Sequence, residues 1–411
     1  MKTKILFFLL FFITFIFSCN TDKNKTDLLS ENTKQSAKDF IDASFDSTFT
    51  PQNAAQQFVY NMGFGWNLGN TLDATHWNNE QNAGLTTETG WGQPLTTKEI
   101  IQGLAKSGIK TIRIPVSWHN HISDTNYTID SEWMARVKTI VDWAIAENLY
   151  VILNIHHDNV ESLPISYGKG FYPTTENKTE SIKFLTRIWE QIATTFNNYD
   201  NHLIFEVMNE PRMIKDEHEW GFNKNCRKCQ DAMNCVNDFN QICLDTIRLS
   251  GGQNTNRFVM FPAIAASPDA SFSDLFKIPV DSTKNALILS VHMYTPYPFA
   301  MGVPGGTDFT NNDRKTLDYY FNKLNEKYIS KGIPVIIGEM GATNKDNLED
   351  RAEWFAYFIQ HSKKYGITSC LWDNGNYQPS TTKSERYGYY NRTEQKWYFP
   401  LLLEIALEAS K

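Results

Sequence analysis

No long Pro- or Ser-rich linker interrupts the 411-residue chain after about residue 51, and neither an internal repeat nor a low-complexity segment occurs. Those absences exclude solenoids and strings of small modules, leaving one large folded unit. Basic excess is missing too. The formal net charge is −7, and it becomes more negative once the leader described below, with Lys2 and Lys4, is removed. A nucleic-acid partner would want a basic patch, so none is expected. A second long apolar run is also lacking. The one present, Ile5–Phe17, is short for a bilayer span and runs into a small-residue site, Ser18, before Cys19.

Residues 1–18 therefore read as a secretory leader. Ile16-Phe17-Ser18-Cys19 resembles a bacterial lipobox, which makes Cys19 the expected lipidated first residue of an exported protein, tethered to a membrane without spanning it. The alternative is an ordinary signal peptide and a secreted chain. Residues 19–50, rich in Lys, Asp, Ser and Thr, are expected to form a mobile polar tether, with residues 51–411 as a single domain acting as a monomer. Cys226, Cys229, Cys235 and Cys243 cluster, with Cys370 apart. Their spacing admits zinc, and an exported chain admits disulfides, so both stay open.

What the chain has in quantity is apolar surface: 41% hydrophobic residues, 14% aromatic. It is distributed with a regular rhythm. Short runs at 63–69, 109–116, 150–156, 203–209, 257–263, 287–294, 334–340 and 368–374 carry polar residues only at their C-terminal ends. Such runs suit parallel strands buried on both faces. Amphipathic stretches at 96–108, 131–148, 179–196, 313–332 and 347–366 lie between them, several closing on Gly. The alternation predicts an α/β fold, a (β/α)8 TIM barrel. That architecture demands functional side chains at strand C-termini. Asn67, Arg113, His156, Asn209, Glu210, His292, Tyr294, Glu339 and Trp372 all fall there.

Glu210, in Asn209-Glu210-Pro211, and Glu339, in IIGEMGA, are carboxylates at the ends of apolar strands. Burying such charges costs several kcal/mol, about 3–5 when one is left unpaired. A salt bridge holding the barrel rim is one explanation. The other is a glycosidase pair, one residue acid then base and its partner the nucleophile. Glu206 competes on the same strand, but deeper in the apolar run, and is expected to be a structural hydrogen-bonder.

The stretches GFGWNLGNTLDA (63–74), TIRIPVSWHNH (111–121), YVILNIHHD (150–158), IFEVMNEPR (204–212), SVHMYTPY (290–297), IIGEMGA (336–342) and LWDNG (371–375) occur in an order that resembles glycoside hydrolase family 5, in its endo-β-1,4-glucanase branch. The resemblance implies a retaining cellulase acting on cellulose, mixed-linkage glucan or xyloglucan. A β-mannanase or xylanase on the same barrel, or a non-catalytic carbohydrate-binding relic, are the alternatives. It implies Glu210 as acid/base and Glu339 as nucleophile. Arg113 and Tyr294 would donate to Glu339 and lower its pKa. The negative Glu339 would raise that of Glu210. Asn209 would bind a sugar 2-hydroxyl, His156 and His292 would line the catalytic subsite, and His292 would tune the acid/base. Trp372 would supply a stacking floor, while Asn67 and His157 would touch a neighbouring sugar. No cofactor is implied, because two carboxylates complete the chemistry. His156-His157 lack an evident third ligand for a metal. Trp66, Trp77, Trp91 and Trp118 are candidate sugar platforms that more simply serve packing. The Cys-rich 221–243 is unusual for the family and would sit beside the leaving-group side of the cleft.

Overall fold

The computed structural model describes residues 35–75, 84–160 and 170–411. Cys19 with the leader, the first part of the tether and Trp77 lie outside the described residues. Eight parallel strands close on themselves in sequence order. They are β1 Gly65–Asn67, β2 Thr111–Ile114, β3 Tyr150–Asn154, β4 Leu203–Glu206, β5 Val259–Pro262, β6 Leu287–Met293, β7 Val335–Met340 and β8 Thr368–Leu371. β1 pairs with β8 through Gly65↔Cys370 and Trp66↔Leu371, sealing the barrel. The expected fold is the observed one.

Among the described residues eight longer helices accompany the strands: α1 Ala54–Asn61, α2 Lys98–Lys106, α3 Ser131–Ala146, α4 Lys178–Thr195, α5 Arg227–Leu249, α6 Asn311–Lys327, α7 Leu348–Lys364 and α8 Pro400–Ala409. Their starts are set locally. Asn53, Thr97, Asp130 and Thr310 each accept a backbone N–H of the first turn with a side-chain oxygen, satisfying donors the helix itself cannot. The β5–β6 crossover holds two short helical turns, Ile264–Ala266 and Pro268–Ser271, in place of a long helix. Among the described residues no helix is long and apolar enough to cross a membrane.

Strand alternation sorts the core into two parts. Val151, Leu153, Phe205, Val259, Phe261, Leu289 and Ile337 face outward to the helices, while Ile152, Ile204, Met260, Ile288, Ile336 and Cys370 form a second cluster within the barrel. α1 stoppers that inner cluster with Ala55, Val59 and Met62. Thr111 Oγ1 donates to Met62 O at 2.7 Å and Thr368 Oγ1 to Val59 O at 2.6 Å. Each fully buried aliphatic side chain here contributes roughly 1.5–3 kcal/mol, so this end of the barrel is a solid apolar floor.

Residues 35–50 correct the expectation of a mobile tether reaching residue 50. Ala37 joins the core, Phe40, Ile41 and Phe49 pack against it, and the Phe45 ring lies tilted against His361 at 4.5 Å. Gln360 closes the contact, accepting from Asp42 N and donating to Asp42 O. The apolar residues spaced through this polar stretch give it a surface to bury.

Candidate active site

One alternation step above the apolar floor, the inward positions turn polar. Ile152 is followed two residues on by Asn154, Ile204 by Glu206, Ile288 by Ser290 and Ile336 by Gly338. These groups satisfy one another. Glu206 Oε1 accepts from Ser290 Oγ at 2.6 Å, and Oε2 accepts from Asn154 Nδ2 at 2.9 Å and Arg113 Nε at 2.8 Å. Glu206 is thus the structural partner expected of it. Arg113, wholly buried, spends the rest of its guanidinium on Asn67 Oδ1 (2.9 Å), Asn209 Oδ1 (2.7 Å) and Glu339 Oε1 (2.8 Å). Burial opposes its charge, but Glu206 and Glu339 outweigh burial and hold it protonated.

Strict alternation from Ile336 would turn Glu339 outward. The β6–β7 register prevents this, moving from Val291↔Ile337 directly to His292↔Glu339 and leaving Gly338 as an extra residue. A bulge of this kind re-aims the following side chain. The bulge is tight: a Cβ on Gly338 would lie 3.2 Å from His292 Nε2 and 3.4 Å from Arg113 Nε, so those side chains would have to give way. Glu339 Oε2 then accepts from Tyr294 OH at 2.9 Å, so both its oxygens are held.

Glu210 follows β4 and faces the same space. Carboxylate oxygens of Glu210 and Glu339, with a ring nitrogen of His292, lie within 4.8 Å of one another. His292 Nδ1 is 2.7 Å from Glu210 Oε1. This pair reverses one expectation. Burial raises the Glu210 carboxyl, but the His292 hydrogen bond and charge, with Arg212 and His157, outweigh it and leave it below the usual glutamate range. His292 moves the other way. Burial lowers it, and Glu339 together with Glu210 more than compensates, so it sits above its usual range. The two hydrogen-bonded groups are thus shifted in opposite directions, each favouring the charged form of the other.

The remaining expected residues fall around this centre with different access. His156 is buried, takes a hydrogen bond from Asn154 Nδ2 at Nδ1 (3.1 Å), and lies parallel to Trp372 at 5.9 Å. Burial pushes its pKa far down, so it is neutral. Trp372 is half-buried, its ring edge pressed over Gly69. His157 stands between Trp91, 5.4 Å away, and Asp73, whose Oδ2 is 3.9 Å from its Nε2. Burial lifts the Asp73 carboxyl to about 6. Folding thus brings a third potential ligand, Asp73, to within 4.8 Å of His156 and His157, which the spacing concealed.

Asn67 is 0% exposed and donates to Gly338 O at 2.9 Å while accepting from Arg113. Arg113 is equally buried, and its guanidinium reaches Glu339. Of the tryptophans, Trp66 and Trp118 are buried and donate to Asp373 Oδ2 and Asn154 O, so both are packing.

Arg212 was passed over, although it stands in the quoted stretch 204–212. Its Nη1 donates to Glu210 O at 3.0 Å and lies 3.8 Å from Glu210 Oε2, its Nε donates to Glu219 Oε1 at 3.2 Å, and Trp220 covers its guanidinium at 4.0 Å. Asn154 and Ser290 were also missed, because their importance comes from sharing Glu206.

Residues 73–378 match the family model described as Cellulase (glycosyl hydrolase family 5). Endoglucanase A of Clostridium longisporum is 41% identical over 362 residues, 87% of this chain and 66% of that protein. Endoglucanase B of Ruminococcus albus is 39% identical over 354 residues, 86% of this chain and 80% of that protein. A glycoside hydrolase 5 lichenase from Caldicellulosiruptor sp. F32, solved in complex with cellotetraose, superposes with a TM-score of 0.84 at 40% identity, covering 90% of this chain and 99% of that one. With a polar layer that fixes one carboxylate and sets a second within reach of it, on a closed eight-stranded barrel, the chain belongs to glycosyl hydrolase family 5.

Proposed function

We propose that the protein is an endo-β-1,4-glucanase that cleaves cellulose-type and mixed-linkage β-glucans by double displacement, with Glu339 as nucleophile and Glu210 as acid/base. The observation that carries this reading is the close approach of the two carboxylates, with oxygens within 4.8 Å. That separation suits direct attack on the sugar, whereas an inverting pair stands about 6.5–9.5 Å apart to admit a water. Arg113 and Tyr294 aim the Glu339 oxygens. As Glu339 attacks the anomeric carbon, Glu210 delivers a proton to the departing glycosidic oxygen, with His292 hydrogen-bonded behind it. Water then enters, Glu210 takes its proton, and the sugar leaves Glu339 with its configuration retained. Asn209, its Oδ1 fixed by Arg113, offers Nδ2 to the 2-hydroxyl, and Trp372 with His156 and His157 gives the sugar walls.

The names of the relatives, and the cello-oligosaccharide held by the lichenase, support glucan over mannan or xylan. The test is reducing-sugar release from carboxymethyl-cellulose, lichenan, xyloglucan, glucomannan and xylan, with proton NMR of the first product. Release from the glucans as the β-anomer is expected. Initial α-anomer, or full turnover by Glu339→Gly, would sink the proposal. We further infer that the chain works as an exported monomer, lipidated at Cys19. Labelled palmitate should enter the wild-type chain and not Cys19→Ser.

A further inference from the structure

We propose that His218, Cys226 and Cys229 form a binding site for a zinc-type divalent cation that ties the loop after β4 to the start of α5. One nitrogen of His218 and the sulfurs of Cys226 and Cys229 lie within 4.8 Å of one another. None of these groups takes part in the glucan chemistry. Zinc holds sulfur at about 2.3 Å and imidazole nitrogen at about 2.0–2.1 Å. Ligand atoms around one tetrahedral ion therefore stand roughly 3.3–3.8 Å apart, and closing from the observed arrangement needs only small side-chain rotations.

The donor chemistry and its setting agree. Two thiolates and an imidazole are a soft set, suited to zinc and poorly suited to calcium or magnesium. Cys229, 1% exposed, is fixed by burial on α5, while Cys226 and His218 are partly exposed and able to adjust. The Cys226 sulfur accepts backbone N–H bonds from Lys228 and Cys229, the kind of outer contact that orients a metal-bound thiolate. Glu217 Oε1 lies 3.9 Å from His218 Nε2. Asp216 is already engaged, taking Lys228 Nζ at 3.1 Å and His218 N at 3.0 Å, so the fourth position falls to water. Binding releases the two thiol protons to solvent and changes no oxidation state.

The fold removes the other cysteines from this site. Cys235 and Cys243 are buried further along α5 as small apolar residues, at the helical spacing of Ala232, Val236 and Phe239. The rival occupant of the position is a Cys226–Cys229 disulfide, which the same two sulfurs would form on oxidation.

Cobalt(II) titration of the reduced full-length protein decides between them. One Co2+ per chain is expected, with a thiolate-to-cobalt charge-transfer band, tetrahedral visible bands, and displacement by Zn2+. Cys226→Ser and Cys229→Ser should each remove the charge-transfer contribution of one sulfur, and His218→Ala should weaken binding by at least about tenfold. Cys235→Ser and Cys243→Ser should leave the spectrum unchanged. Zn2+ should also raise the thermal midpoint of the unaltered protein. The proposal is overturned if the unaltered chain shows no stoichiometric cobalt spectrum, if the His218 variant binds as tightly, or if zinc fails to protect Cys226 and Cys229 from forming the disulfide in air.

Discussion

Arg113 meets Glu339 through a single 2.8 Å hydrogen bond from Nη1 to Oε1, and the same guanidinium also holds Asn67, Asn209 and Glu206. Arg113→Lys keeps the charge and loses the fork that serves four partners at once. The variant should lose roughly 10²–10³ in kcat, the scale of removing one preorganised donor. It should also lose about 3–5 kcal/mol of stability, because Glu206 stays buried with its partner disrupted. Steady-state kinetics alongside urea unfolding check both.

A substitution at Asn67 separates positioning from sugar contact. Asn67→Ala removes an acceptor from Arg113 and a donor to Gly338 O. The expected outcome is a kcat lower by about tenfold with KM within about twofold, the pattern of a supporting group. A KM increase with unchanged kcat on cello-oligosaccharides would point to direct sugar contact instead.

Gly338→Ala places a methyl group 3.2 Å from His292 Nε2 and 3.4 Å from Glu206 Oε1. Overpacking at such a site costs about 1–3 kcal/mol. The displacement falls on the groups around both glutamates, so kcat should drop by about 10²-fold, while circular dichroism at room temperature stays that of a folded barrel.

The pH profile follows from the hydrogen bond between His292 and Glu210. His292 holds its proton above the ordinary imidazole value of 6.5, and Glu210 lies below its ordinary 4.5. The pair therefore keeps its proton through pH 6.5 and yields it above, so kcat/KM should fall on an alkaline limb beyond that value. In His292→Gln the proton rests on Glu210 alone. Freed of the imidazolium, that carboxyl rises from its depressed position, so the alkaline limb should leave its wild-type place. A limb that stays put contradicts the role given to His292.

Much of this was legible because parallel barrel strands are buried on both faces, so their apolar runs and polar ends stand out in the sequence. The two glutamates were visible for the same reason. The bond of Asn67 to Arg113 was not, since a strand-end asparagine looks alike whether it meets a sugar or an arginine from the neighbouring strand. The inward turn of Glu339 depends on a one-residue slip at Gly338, and alternation alone assigns it the wrong face. The direction of the Glu210 shift was misread because the charge of Glu339 was weighed without the imidazole 2.7 Å away. α5 was partly hidden by its Lys, Asn and Cys, although Cys229, Val236, Cys243 and Ile247 trace a buried helical stripe. The docking of residues 35–50 rests on a few aromatics scattered through polar sequence, too sparse for any period.

Arg113 gathers groups from β1, β2, β4 and β7, which lie on different sides of the barrel. The aim of the nucleophile and the roundness of the barrel mouth are consequently one mechanical property. Any loosening of the seam between β1 and β8 would blunt the chemistry before the rest of the molecule came apart. Adaptation to new glucans is thereby pushed outward, onto the βα-loops around the mouth and away from the knot beneath them.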